Sequence, residues 1–150
     1  MTSGRTDHLN SARAPWRQSV AAGRCDGVLP ANIDGFLNAT GFALTLDHQI
    51  DFNRLLAARA HQAGLSIGLS GGNGSLVEAL ATDYDWGFAV DCVAGGCSHL
   101  GPLVAASQPV FVAEYADAGR ADTICARAAE LGLNAILKNP ELDAARVACQ

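Results

Sequence analysis

The sequence predicts an α/β protein, a partial parallel (β/α) barrel of the TIM type with about five strand–helix units. Short apolar runs fall near residues 25–29, 65–69, 86–90, 109–113 and 134–137. Helical patterns alternate with them, near 46–63, 74–82, 98–107, 120–132 and 141–148. The runs are continuously apolar, the habit of strands covered on both faces in a parallel sheet. Length agrees. A complete eight-unit barrel takes about 250 residues, so five units need about 156, close to the 150 present.

Each element has a local reason. Residues 1–14 are polar and aperiodic and read as a disordered leader, which leaves 15–150 as the folded domain. A short helix is expected over Pro15–Gly23, with proline in its first turn and glycine as the stop. The first strand breaks at Pro30. Thr45 can cap the first long helix, with Asp47 in the opening turn and Gly64 beyond the end. Trp86 opens an apolar strand and reads as core more simply than as a stacking platform. The Gly71–Gly74 stretch reads as a connector, because it lacks the Lys and Ser/Thr of a phosphate loop.

An open doubly wound sandwich is the competing architecture. Its helices would alternate between sheet faces, whereas in a barrel they all lie outside. Five barrel units would also leave two edge strands unpaired and the interior unclosed, which predicts self-association, completion by another chain, or marginal stability.

Composition narrows the function. No stretch is long and apolar enough to span a bilayer, so no membrane partner is expected. The first ten residues hold no apolar segment of the secretory type. Net charge is −5 and the Lys and Arg residues are scattered, which argues against nucleic acid. The four histidines show no ligand spacing, and no metal or cofactor is expected. Five cysteines leave disulfides and zinc both open, although Cys92-x₄-Cys97 with no second pair nearby is weak metal evidence.

Candidate chemistry sits just after the apolar runs. Glu114 and Asp91 end their strands and are the carboxylates best placed for acid–base or nucleophilic work. Asp26, Asn32, Asp34 and Tyr115 are candidate substrate-binding groups, though Asn32 and Asp34 are also ordinary turn residues after Pro30. A different class is suggested by Gly68-Leu69-Ser70-Gly71-Gly72, which fits Gly-x-Ser-x-Gly between strand and helix, with Asp91 and His99 following in triad order. His99, however, stands at a helix start two residues after Cys97.

The wording of the chain is specific. Asp26-Gly27-Val28, Pro30, Asn32, Asp34-Gly35, Thr40-Gly41-Phe42, Leu44-Thr45, Gln49, Asn53-Arg54, Ala60-His61 and Gly64 to Leu69 form one series. Phe88-Ala89-Val90, Pro109-Val110-Phe111, Glu114-Tyr115, Lys138-Asn139, Leu142-Asp143, Arg146 and Cys149 continue it. Over residues 17–149 the chain resembles glycoside hydrolase family 114, the endo-α-1,4-polygalactosaminidase-like barrel enzymes. The resemblance implies barrel strands four to eight, with the first three units missing, and a polysaccharide or oligosaccharide as ligand. It also implies a secreted setting, although the chain itself leaves localisation unknown. With cysteines at matching places, it favours disulfides and a Cys125–Cys149 pair.

Departures from the family concern charge. The resembling enzymes usually read Asp-Gly-Val-Glu-Pro-Asp-Asn at the first strand, where this chain has Leu29 and Ala31 in place of the later acids. Their Asn-Glu-Gln-Cys corresponds to Asp91-Cys92 with a shortened loop, and their Leu-Lys-Asn-Asp to Leu69-Ser70-Gly71-Gly72. The expectation is therefore either a hydrolase-like protein with substituted carboxylates or a non-catalytic sugar-binding or interaction remnant.

Overall fold

The structure is a computed structural model that describes residues 23, 25–71, 73–116 and 118–149. The expected leader and the expected helix over 15–23 lie outside the described residues, apart from Gly23.

The strands are β1 (Gly27–Val28), β2 (Ser66–Ser70), β3 (Trp86–Val90), β4 (Val110–Tyr115), β5 (Asn134–Lys138) and β6 (Val147–Ala148). The α-helices between them are α1 (Leu46–Gln62), α2 (Gly74–Leu80), α3 (Gly101–Ala105) and α4 (Ala121–Glu130). The sheet order is β1-β2-β3-β4-β5-β6, with β1 to β5 parallel. The order never reverses. Right-handed crossovers that always step the same way lay every helix on one face of the sheet. A doubly wound sheet needs a reversal point, so that alternative falls and the barrel-type winding stands.

Side-chain alternation shows which face the helices cover. Ile67, Leu69, Ala89, Val110, Val112, Ala135 and Leu137 are all buried. They join Ala57, Ala60, Leu76, Val77, Leu80, Leu103, Ile124 and Ala128 from the helices in one core. Gly87 belongs to the same face: a Cβ there would lie 2.7 Å from Leu103 Cδ1. The opposite face carries Trp86, Phe88, Val90, Phe111, Tyr115 and Ile136, and it is partly open. Val90 is 43% exposed and Phe111 45%. Continuous apolar runs therefore do not mean full cover here; among the described residues, only the helix face is closed.

Local chemistry explains the helix ends. Thr45 accepts the His48 N–H, and His48 Nδ1 accepts the Thr45 N–H, a reciprocal cap at the start of α1. Gly64 follows at φ +75, the left-handed conformation that ends the helix.

The helix expected near 141–148 is not formed. Leu142 sits at φ 53, and Asp143 Oδ1 accepts the Ala145 N–H in a tight side-chain turn. Lys138 Nζ donates to the carbonyls of Asp143 and Ala145. Those acceptors are then lost to a helix. The chain instead returns as β6, antiparallel to β5, and Cys149 closes a disulfide to Cys125 on α4. Of the two bare edges expected, the β5 edge is thus partly occupied.

Candidate functional site

Parallel strands deliver their following loops to one end of the sheet, and that end holds most of the candidate residues. Asp91 directly follows β3, is exposed, and adopts φ 51. Its N–H donates to the Ala113 carbonyl at 3.0 Å, and its Oδ1 accepts the Tyr115 N–H at 2.7 Å. Left-handed backbone is several-fold commoner for Asp and Asn than for other non-glycine residues, and it recurs at functional sites.

Glu114 stands one strand over but behaves differently. It lies on the helix-facing side of β4 with Val110 and Val112, is 4% exposed, and its Oε1 accepts the Val93 N–H at 2.8 Å. Tyr115 ends β4 on the open face and is 38% exposed. The neighbouring strand ends therefore combine an exposed carboxylate, an exposed phenol and a buried carboxylate.

Between Asp91 and α3 runs a loop closed by the Cys92–Cys97 disulfide. The pairing sets aside the zinc reading of these two residues. Both sulfur residues and Val93 are buried. Cys25 is free and exposed.

Asn32 and Asp34 belong to the same end, in the connection from β1 to α1. Asn32 is exposed at φ 53, and Asp34 is half-buried at the start of a 3₁₀ turn over Gly35–Leu37. Ile33 between them is buried, and its carbonyl accepts Asn53 Nδ2 at 2.9 Å. Asp26 is not gathered with these groups. It precedes β1, and its carbonyl accepts Ser66 N–H and Oγ–H at the start of β2. Extended across β2 and β3, the strand registers set it about eight residues below Asp91, roughly 26 Å along the strands at about 3.3 Å per residue.

Ser70 closes β2 and His99 lies in the 3₁₀ turn Ser98–Leu100. Among the described residues no hydrogen bond joins Ser70, His99 and Asp91, and Asp91 Oδ1 serves Tyr115 instead. Nothing in this geometry assembles a serine triad.

Positions ahead of the site explain what sequence reading missed. Gln49 and Asn53 lie four apart on the buried face of α1, where amides need partners. Gln49 Nε2 donates to Asn53 Oδ1 at 3.0 Å, and Tyr84 Oη donates to the Asn53 carbonyl at 3.2 Å. Two polar side chains on an apolar stripe were the available signal. Burial, reinforced by the Asp83 charge, pushes the Tyr84 phenol well above its ordinary range, so it remains a donor.

An α/β sheet wound in one direction, with polar groups at its C-terminal strand ends, is the architecture of barrel enzymes. The chain belongs to glycoside-hydrolase family GH114, whose model matches residues 12–150. Among solved structures it is similar to the crystal structure of Aspergillus fumigatus Ega3 in complex with galactosamine, with 26% sequence identity and a TM-score of 0.77. The match covers 93% of this chain and 60% of that one. This chain is thus a glycoside-hydrolase-like protein spanning 60% of its structural neighbour's length. Comparison with curated proteins gives no match.

Proposed function

We propose that the chain binds galactosamine-containing polysaccharide at the C-terminal end of its parallel strands, through Asp91, Tyr115, Asn32 and Asp34. The observation that carries the reading is the exposed Asp91 carboxylate beside exposed Tyr115, on a GH114 scaffold whose solved neighbour holds galactosamine. A free galactosamine amine is cationic at neutral pH, and a chain of net charge −5 attracts it. The expected ligand is an α-1,4-linked galactosamine-rich polymer. Titration calorimetry with galactosamine oligosaccharides tests the reading, with Asp91→Asn weakening binding. Equal affinity for neutral N-acetylated oligosaccharides, with no effect of Asp91→Asn, would overturn it.

A second reading, endo-hydrolysis of the same polymer, draws on the two carboxylates at the ends of β3 and β4. Glycosidases use such a pair, one to protonate the leaving oxygen and one to attack or to activate water. In this reading Asp91 and Glu114 carry the chemistry. Glu114 burial and its bond to Val93 favour binding without cleavage, as do Leu29 and Ala31 where acids would stand in the resembling enzymes. A product ladder from galactosaminogalactan that disappears in both Glu114→Gln and Asp91→Asn would establish the hydrolytic reading instead.

A further inference from the structure

We propose that Glu114 is a positioning residue, whose buried carboxylate fixes the Asp91–Cys97 loop and thereby aims the exposed Asp91 carboxylate at ligand. The inference deepens the carbohydrate-binding reading and rests on it.

Burying a carboxylate is costly unless its oxygens are bonded. Among the described residues Glu114 is the buried acidic one, at 4% exposure. Its neighbours on that strand face are Val110 and Val112, and a leucine would suit them equally as packing. What the carboxylate does that leucine cannot is accept the Val93 N–H, at 2.8 Å.

That bond completes a set. Ala113, Glu114 and Tyr115 are consecutive on β4, and each bonds once to the departing chain. The Ala113 carbonyl takes the Asp91 N–H, Glu114 Oε1 takes the Val93 N–H, and the Tyr115 N–H goes to Asp91 Oδ1. Backbone pairing ends near Val90. Side-chain oxygens then carry the pairing past the point where Asp91 turns left-handed at φ 51.

The disulfide alone cannot set this arrangement. Cys92–Cys97 closes the loop on itself, which limits its internal freedom but leaves its angle to β4 open. Beyond the two bonds at Asp91, Glu114 supplies the anchor that holds the loop itself to β4, at Val93. Without it, Asp91 would exchange its Tyr115 contact for water and rotate away from the strand end.

Removing the acceptor and removing the charge are separable. Glu114→Gln keeps an acceptor oxygen at Val93, whereas Glu114→Leu keeps the volume and removes the oxygen. The full chain would be titrated with galactosamine oligosaccharide, and amide exchange followed at Tyr115 and at Ala135 in the core. In Glu114→Leu, affinity is expected to fall at least about tenfold and Tyr115 protection to drop at least about tenfold, with Ala135 unchanged. Glu114→Gln should restore both to within about threefold of wild type. Tyr115 is the decisive amide, since it bonds to Asp91 and not to the substituted residue.

Equal loss of binding in both variants with Tyr115 protection intact would overturn the proposal, because the charge itself would then meet ligand. Unchanged Tyr115 exchange in Glu114→Leu would overturn it as well. Were the leucine variant unfolded, with Ala135 unprotected, the glutamine variant decides: lost Tyr115 protection there refutes the anchor, and retained protection supports it. A wild-type chain that fails to bind sugar would sink the functional reading alone, since the exchange measurements test the anchor independently.

Discussion

Asn53 Nδ2 donates to the carbonyl of Ile33 at 2.9 Å, across twenty residues of sequence and with both residues buried. Together with the buried Ile33 side chain, this bond docks the loop bearing Asn32 and Asp34 onto α1. Asn53 is fully buried, so water cannot replace a lost partner. Asn53→Leu would strand the Ile33 carbonyl and the Gln49 amide in an apolar surround. An unsatisfied buried group costs about 1–3 kcal/mol, so urea denaturation should show a loss of about 2–3 kcal/mol. Limited proteolysis should find new cleavage near residues 31–37.

Gly68 faces Trp86. A Cβ at Gly68 would lie 2.4 Å from the indole ring, a contact that only movement of a large ring can relieve. Trp86 is also held by Phe111, edge to face at 6.2 Å, and by Ser66 Oγ, which accepts its N–H at 3.3 Å. Overpacking of this kind costs about 1–3 kcal/mol. Gly68→Ala should lower the melting temperature and change the tryptophan fluorescence, and an unaltered spectrum would contradict the packing described.

The Cys125–Cys149 bridge, spanning 24 residues, ties α4 to the chain just beyond β6. Loop-closure entropy gives such a bridge about 3 kcal/mol, and less to the shorter Cys92–Cys97 loop. Non-reducing peptide mapping of protein from an oxidising medium should recover both pairs, with Cys25 the thiol that labels. Cys125→Ser should destabilise more than Cys97→Ser. Free labelling of Cys125 and Cys149 would count against the bridge.

Asp143 should titrate below the ordinary carboxylate range. Hydrogen bonding from the Asn139 side chain is the main cause, followed by the Ala145 N–H and, with burial acting slightly the other way, the Lys138 charge. A depressed folded-state pKa gives stability that is present above the unfolded value, about 3.9, and lost as pH falls through the lower one. The 139–145 turn should therefore loosen only in strong acid. Side-chain carbon shifts of Asp143 against pH would show the midpoint, and one above about 4 would refute the arrangement.

The open sheet face should behave as an adhesive surface. Val90 and Phe111 are diagonal neighbours on it, at 43% and 45% exposure, since the register sets Val90 against Ala113 and Phe88 against Phe111. Exposed contiguous apolar surface promotes association. Sedimentation velocity should show concentration-dependent self-association that Val90→Lys weakens. Identical sedimentation at all concentrations would remove the argument.

Much of this protein was legible in its residues. Strand–helix alternation, the Thr45 cap, the Gly64 stop and the family wording depend on local pattern, and local pattern survives without knowledge of neighbours. The region near 141–148 shows the limit. Its composition suits a helix, yet Lys138 takes two of its carbonyls and the Cys125 bridge draws it along β5. Both partners lie outside the segment.

The site divides in the same way. The residue types at the strand ends, Asp91, Glu114 and Tyr115, can be read directly from the chain. Their orientation follows from the fold. Side chains alternate along a strand, so Glu114 turns toward Val93 and the core while Tyr115, one residue later, faces the open side. Asp26 sits at the far end of the sheet because strand direction and register, not proximity in sequence, determine which end of the sheet a residue reaches.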